Sequence, residues 1–153
     1  MTLRRTIVIE PSLRLGLTVE DGALVAIDLR PTAPDQDTHP VLDETERQLR
    51  HYFSGTLHTF DLPWRTSGTL FQESVWRMVY AIPYGRTRTY MDLARELNSP
   101  GAVRAVGTAN GTNPLPILIP CHRVVATGGG MGGYGGGVDL KRRLLALEGA
   151  ILL

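Results

Sequence analysis

Two prolines decide the layout of the second half of this chain. Pro114 and Pro116 fall two residues apart in Asn113-Pro114-Leu115-Pro116. A pyrrolidine ring lacks the amide N–H and collides with the carbonyl four residues back, so no helix runs through them. The next residues, Ile117-Leu118-Ile119, are predicted as a short buried strand that delivers Pro120-Cys121-His122-Arg123 at its end, with Val124-Val125 beyond. Cys121 is the only cysteine and adjoins one of four histidines. A thiol beside an imidazole is a candidate nucleophilic pair, because the thiolate is the reactive form and a nearby base or cation favours it. A lone cysteine in an apolar strand is as readily a small buried hydrophobe, although His122 and Arg123 are poor core residues. The residues alone leave both readings open.

One cysteine excludes an internal disulfide and a zinc site of several thiolates, and a cytoplasmic address is expected. No apolar run reaches the roughly 18–20 residues of a membrane span, and the first residues lead into no signal-peptide core. With 153 residues, 42% apolar and 20% charged, the chain suits one domain or two small ones with a real core. Charge divides it unevenly. Residues 1–60 carry six arginines against nine acids, a net −3, and residues 61–153 carry nine arginines and Lys141 against six acids, a net +4. A basic half permits nucleic-acid binding, though an ordinary solvated surface reads the same. Lys141 is the sole lysine against fifteen arginines, a bias read as genome composition rather than mechanism.

Taken in order, residues 4–29 read as β structure. Leu13, Leu15, Leu17 and Val19 alternate with smaller or polar residues at the period of a half-buried strand. Asp21-Gly22 makes the hairpin turn to a return strand at 23–29, and the prolines of 31–40 mark a loop. A helix is expected over 41–54, capped by Asp43 with Leu42, Leu49 and Phe53 inward. The connector that follows puts a boundary near residues 60–68. A first domain of 1–65 and a second of 66–153 are therefore expected.

The second part reads as short helices. Phe71, Val75, Met78 and Val79 form one apolar stripe. Thr89 can cap a second helix, Tyr90 to Leu97, and after Asn98-Ser99-Pro100-Gly101 a third runs from Ala102 to about Asn110. Two short helices joined by a brief turn containing glycine make the helix-turn-helix pattern. The third helix has almost no large side chains, with Ala102, Ala105, Gly107, Thr108 and Ala109, and Arg104 is its one charge. Close helix packing accounts for that, and so does a helix laid against nucleic acid. A last amphipathic helix covers 138–147, stopped by Gly149. Gly128, Gly130 and Gly133 formally match G-x-G-x-x-G, but no helix starts at the third glycine and no room remains for a βαβ unit. His39, His51, His58 and His122 make no close ligand pair with Cys121. No metal and no cofactor are expected.

Asn113 to Val124, in full Asn-Pro-Leu-Pro-Ile-Leu-Ile-Pro-Cys-His-Arg-Val, resembles the active-site signature of the O6-alkylguanine-DNA alkyltransferases. Ile82-Pro83-Tyr84-Gly85, Tyr90, Ala102 to Gly107, the loop at 133–136 and Leu147-Glu148-Gly149 fall at that family's spacing. The likeness runs from about Phe71 to Gly149. It implies an α+β protein: a small N-terminal β-sheet domain with a helix, ribonuclease H-like, and a C-terminal helix-turn-helix, winged-helix-like domain carrying the active site. It implies direct, irreversible alkyl transfer from O6-alkylguanine in double-stranded DNA to Cys121, by a monomer with no membrane partner. Each molecule would react once.

By that resemblance the damaged base is flipped out of the duplex and Arg104 takes its place. Cys121 is activated by His122 through a water and oriented by Glu148, Tyr90 donates a proton to the leaving guanine, and Asn113 braces the thiolate region. Neighbours on an extended chain point apart, which is why a water is expected between Cys121 and His122. Ala102, Ala105, Gly107, Thr89 and Arg123 would join Arg104 on the DNA; Tyr134, Gly135, Pro116 and Val124 would line the base pocket. Gly135 departs from relatives with a hydroxyl side chain there, and the N-terminal zinc of some relatives cannot be built from one cysteine. Two rivals remain: a non-enzymatic alkylated-DNA-binding relative, which would replace Cys121, and a helix-turn-helix transcription regulator, which would need a polar recognition helix.

Overall fold

The structure, a computed structural model, describes residues 1–152 and divides the chain into two compact units, Met1–Thr66 and a second from Ser67 onward. The architecture is mixed α+β. Among the described residues no helix is long and apolar enough to cross a membrane.

In the first unit, β1 (Thr2–Glu10), β2 (Leu13–Glu20) and β3 (Ala23–Asp28) form an antiparallel sheet in that order. Strand alternation sets its inner face: Leu13, Leu15, Leu17 and Val19 are all buried. The β2–β3 turn holds Asp21 and Gly22 both at positive φ, 48° and 80°, the backbone an Asp-Gly hairpin favours. Helix α1 (Pro40–Phe53) buries Leu42, Leu49 and Tyr52. Burying each such side chain is worth about 1.5–3 kcal/mol. Its cap differs from expectation. His39 Nδ1 accepts from Val41 N–H at 3.0 Å, and Pro40 fits the first turn, where no N–H is needed, so the helix starts ahead of Asp43. Buried Gln48 then pins the chain beyond, bonding both the carbonyl and the amide of Asp61 at 2.9 Å.

The second unit contains α2 (Leu70–Tyr80), β4 (Arg88–Thr89), α3 (Tyr90–Glu96), α4 (Val103–Gly111), β5 (Val124–Val125) and α5 (Val138–Leu147). Capping boxes start α2 at Thr69 and α3 at Thr89. The α3–α4 link uses Asn98 at φ 56° and a 3-10 turn, Pro100–Ala102. Helix α2 is rotated from the expected stripe: Phe71 is exposed, and Trp76 goes inward with Val75 and Val79. The indole N–H of Trp76 donates to Ala109 O at 2.8 Å and so ties α2 to α4. Gly68 leaves the room, since a Cβ there would meet the Trp76 ring at 2.7 Å.

Residues 117–119 are not the expected strand. Ile119 N–H closes on Leu115 O at 2.8 Å and Ile117 takes φ 76°, making a buried turn. The prolines explain it, because they fix φ around them and remove donors a ladder would need. The turn holds one isolated bridge, Pro116 to Ile119, and a paired strand follows at β5, where Val124 and Val125 align in parallel with Arg88 and Thr89.

Candidate active site

Cys121 opens a single 3-10 turn, Cys121–Arg123, between the buried turn and β5. Its backbone is held from both sides. Cys121 N–H donates to Ile119 O at 2.7 Å, and Asn110 Nδ2 donates to Cys121 O at 3.3 Å. Asn113 locks the preceding turn, donating from Nδ2 to Ile119 O at 2.7 Å and accepting from Leu115 N–H at 2.9 Å. Burial pushes the thiol above its ordinary range, while the Asn113 side chain and the Lys141 charge pull it back. The resting sulfur therefore keeps its proton, and making the thiolate requires a base.

His122 is the imidazole next in the chain. The chain turns at 121–123 instead of staying extended, and the buried imidazole packs its Nε2 2.8 Å from Glu148 Oε2. A carboxylate only accepts, so Nε2 carries the hydrogen. Nδ1 is then a lone-pair acceptor, buried and without a partner among the described residues. Burial lowers the His122 pKa; Glu148 opposes this, and Arg123 and Lys141 add to it. The ring is neutral near pH 7 and oriented by its carboxylate.

Arg123 is not on the surface with Arg104, where it was expected. It is buried, with Nε 2.8 Å from Glu148 Oε1, Nη2 2.9 Å from Oε2 and Nη1 2.6 Å from Ile82 O. A guanidinium fork matches a carboxylate edge, and Glu148, the residue that closes α5, supplies that edge inside the fold.

Tyr90, at the start of α3, has its phenol pushed up by burial and next by Cys121, while the Asn110 side chain draws it down. Gly132 sits on this ring at φ 75°, where a Cβ would lie 2.7 Å from the phenol oxygen. Tyr134 presents its ring edge-on to His122, centroids 6.4 Å apart, with a buried hydroxyl that has no partner among the described residues. Val124 and Pro116 are buried, and Gly135 is exposed on the loop.

Sequence reasoning missed Lys141 and Asn110. Lys141 is fully buried on α5: Nζ donates to Val124 O at 2.6 Å and to Gly133 O at 3.2 Å, and lies 5.8 Å from the Tyr90 ring centroid. Burial brings its pKa down to about 8. A signal existed: Lys141, Leu144 and Leu145 share the inward i, i+3, i+4 face of α5, and a lone lysine there has something to hold.

The expected DNA-facing residues separate into groups. Ala102, Arg104 and Ala105 line an open cleft of about 630 Å³ together with Phe71 and Gln72. Gly107 instead faces the Tyr90 ring, at an ordinary 3.8 Å for a Cβ, and the Thr89 hydroxyl is used in capping, accepting from Asp92 N–H at 3.0 Å.

Residues 70–150 match the family model described as 6-O-methylguanine DNA methyltransferase, DNA binding domain. The chain is 52% identical over 101 residues to a methylated-DNA–protein-cysteine methyltransferase of Mycolicibacterium paratuberculosis, covering 66% of this chain and 61% of that one. It is 50% identical over 107 residues to the protein of that name from Methanosarcina acetivorans, 70% and 69% of the two chains. The sequence alignments thus span roughly two thirds of these relatives' length. The crystal structure of Mycobacterium tuberculosis OGT in complex with DNA superposes with a TM-score of 0.86 at 41% identity, covering 96% of this chain and 92% of that one. A family model that takes in Cys121, His122 and Glu148 as well as more than half of the chain leaves one assignment: the protein belongs to the methylated-DNA–protein-cysteine methyltransferase family.

Proposed function

We propose that the protein repairs DNA by moving the alkyl group of O6-alkylguanine onto Cys121, once per molecule. The observation that carries this reading is the pairing of a buried thiol with a neutral imidazole whose Nε2–H is taken by Glu148 and whose Nδ1 is left to accept a proton. His122 removes the thiol proton through a bridging water. The sulfur attacks the alkyl carbon in line, the new C–S bond forms as the C–O bond breaks, and the electron pair leaves on the guanine oxygen. Tyr90 gives a proton to the departing base, so guanine leaves neutral. The thioether is stable, and a chain with one cysteine has no second thiol to remove the alkyl group.

In this reading residues 66–153 are the DNA-binding and catalytic domain, of winged-helix type with α3 and α4 as its helix-turn-helix, and residues 1–65 are an N-terminal domain of ribonuclease H-like type. The small side chains of Ala102 and Ala105 let α4 approach the minor groove, and Arg104 fills the stack once the base is flipped out. Asn113 holds the turn beneath the sulfur; Pro116, Val124, Tyr134 and Gly135 enclose the base. A thiol that must stay reduced suits the cytoplasm, and one chain supplies every group, so a monomer suffices. The test is intact mass after incubation with a duplex containing O6-methylguanine. One methyl group on Cys121 in stoichiometric yield is expected, and an unchanged mass would end the reading.

A further inference from the structure

We propose that Arg123 is a positioning residue that keeps His122 available as a base, by holding both oxygens of Glu148 so that the carboxylate orients the imidazole without drawing a proton onto it. The inference rests on the reading of His122 as the base for Cys121. A bare buried carboxylate 2.8 Å from an imidazole favours an imidazolium–carboxylate pair. Such a ring could not take the thiol proton.

The geometry prevents this. Glu148 Oε2 is shared between His122 Nε2 at 2.8 Å and Arg123 Nη2 at 2.9 Å, and Oε1 accepts from Arg123 Nε at 2.8 Å. The remaining guanidinium arm is anchored on Ile82 O at 2.6 Å, just past α2, and the Tyr84 ring centroid lies 5.7 Å from its central carbon. The fork therefore has one orientation, and the carboxylate charge is met before the imidazole reaches it. The groups that face His122 are Glu148 and Lys141 from α5, Arg123 and Cys121 from its own turn, and Tyr134 from the glycine loop. Of the charged ones, Glu148 alone favours the protonated ring, and Arg123 and Lys141 oppose it. Lys141 is bonded to the carbonyls of Val124 and Gly133, and Arg123 meets Glu148 head-on.

The test uses no DNA: Cys121 alkylation by iodoacetamide is followed by mass across pH 5–9 for the full chain. Wild-type reactivity falls on the acid side as His122 protonates. In Arg123→Met that acid limb moves up by about one pH unit and reactivity below it drops about tenfold. Arg123→Lys keeps a charge but not the fork, and shifts the limb the same way by less. A folded Arg123→Met whose profile superimposes on wild type overturns the proposal, as does a wild-type profile with no acid limb. Should the Met variant fail to fold, an unshifted Arg123→Lys is decisive against it. Failure of wild-type protein to accept methyl from DNA would sink the repair reading while leaving these profiles to stand on their own.

Discussion

The sheet unit hides Leu15, Leu17, Leu24, Leu42 and Leu49 and buries no complete ion pair: Arg47–Glu44 and Arg50–Glu46 are partly in solvent, and the largely buried Arg5 reaches out to an exposed Asp43 and a half-buried Glu46. The unit from Ser67 onward buries Asn110, His122, Arg123, Lys141 and Glu148 among its apolar residues. Removing charge from water costs several kcal/mol per ion before any pairing returns it, and apolar replacements are often as stable or more so. The first pattern is what stability alone selects. The second is a burden that a fold keeps for chemistry, and all of it surrounds one cysteine.

The largest effect that contrasts the two regions is on transfer itself. Cys121→Ser abolishes methyl gain by intact mass while duplex binding, followed by fluorescence anisotropy, persists. Leu49→Ala, in the other core, costs about 2–5 kcal/mol of stability, and the folded fraction still transfers at the wild-type rate. A Leu49→Ala protein that is folded yet inert would show that the apolar unit is not merely a scaffold.

Next come the carboxylates. Glu148→Ala strands a buried guanidinium and unhooks the His122 ring, so denaturant unfolding should show a loss of about 3–5 kcal/mol, together with slowed transfer. Glu44→Ala removes a half-exposed carboxylate that the bond from Arg47, and next that from Gln48, hold down at about 2, and unfolding should show a far smaller loss. Equal losses at the two sites would erase the distinction between the regions.

A third contrast is in pH. Burial lowers the His122 pKa in the fold, below the unfolded value of about 6.5. Between the two values the unfolded chain binds the extra proton, so stability rises with pH through that window and is lost as pH falls below about 6.5. Each pH unit of separation is worth about 1.4 kcal/mol. Urea titrations from pH 8 to 5 should show this slope, and His122→Gln should flatten it; a slope unchanged in the variant would assign it elsewhere.

How much of this was legible follows the same division. The sheet's period, the Asp21-Gly22 turn and the extent of α5 are local facts, set by alternation, positive φ and helical spacing. That Cys121, His122 and Glu148 belong together was expected only because residues 113–124 and 147–149 resemble a known site; the hydrogen bond between His122 and Glu148 crosses 26 residues of chain. What local patterns could not give was direction. Phe71 and Trp76 are both large and apolar, and only the seat left by Gly68 sends Trp76 inward. Arg123 looks like a surface arginine until Glu148 and Ile82 O converge on it. Lys141 looked like noise in an arginine-rich chain. Its partners are two backbone carbonyls, which sequence does not display.

The smallest effect separates two roles at one residue. Thr89 was expected to touch DNA, and its hydroxyl caps α3 through Asp92 N–H, with Asp92 answering at Thr89 N–H at 2.9 Å. Thr89→Ala should cost about 1 kcal/mol by loss of the cap, read as a shift in urea midpoint. Thr89→Asp retains an acceptor that can cap, and a negative charge suits a helix N-terminus, so stability should return toward wild type. The same charge repels phosphate. If Thr89 also lies against the duplex, Thr89→Asp binds DNA more weakly than Thr89→Ala despite being the more stable of the two, and the gap narrows as salt is raised. Equal DNA affinity for both variants would reduce Thr89 to a cap, and would leave the cleft around Arg104 as the surface that meets DNA.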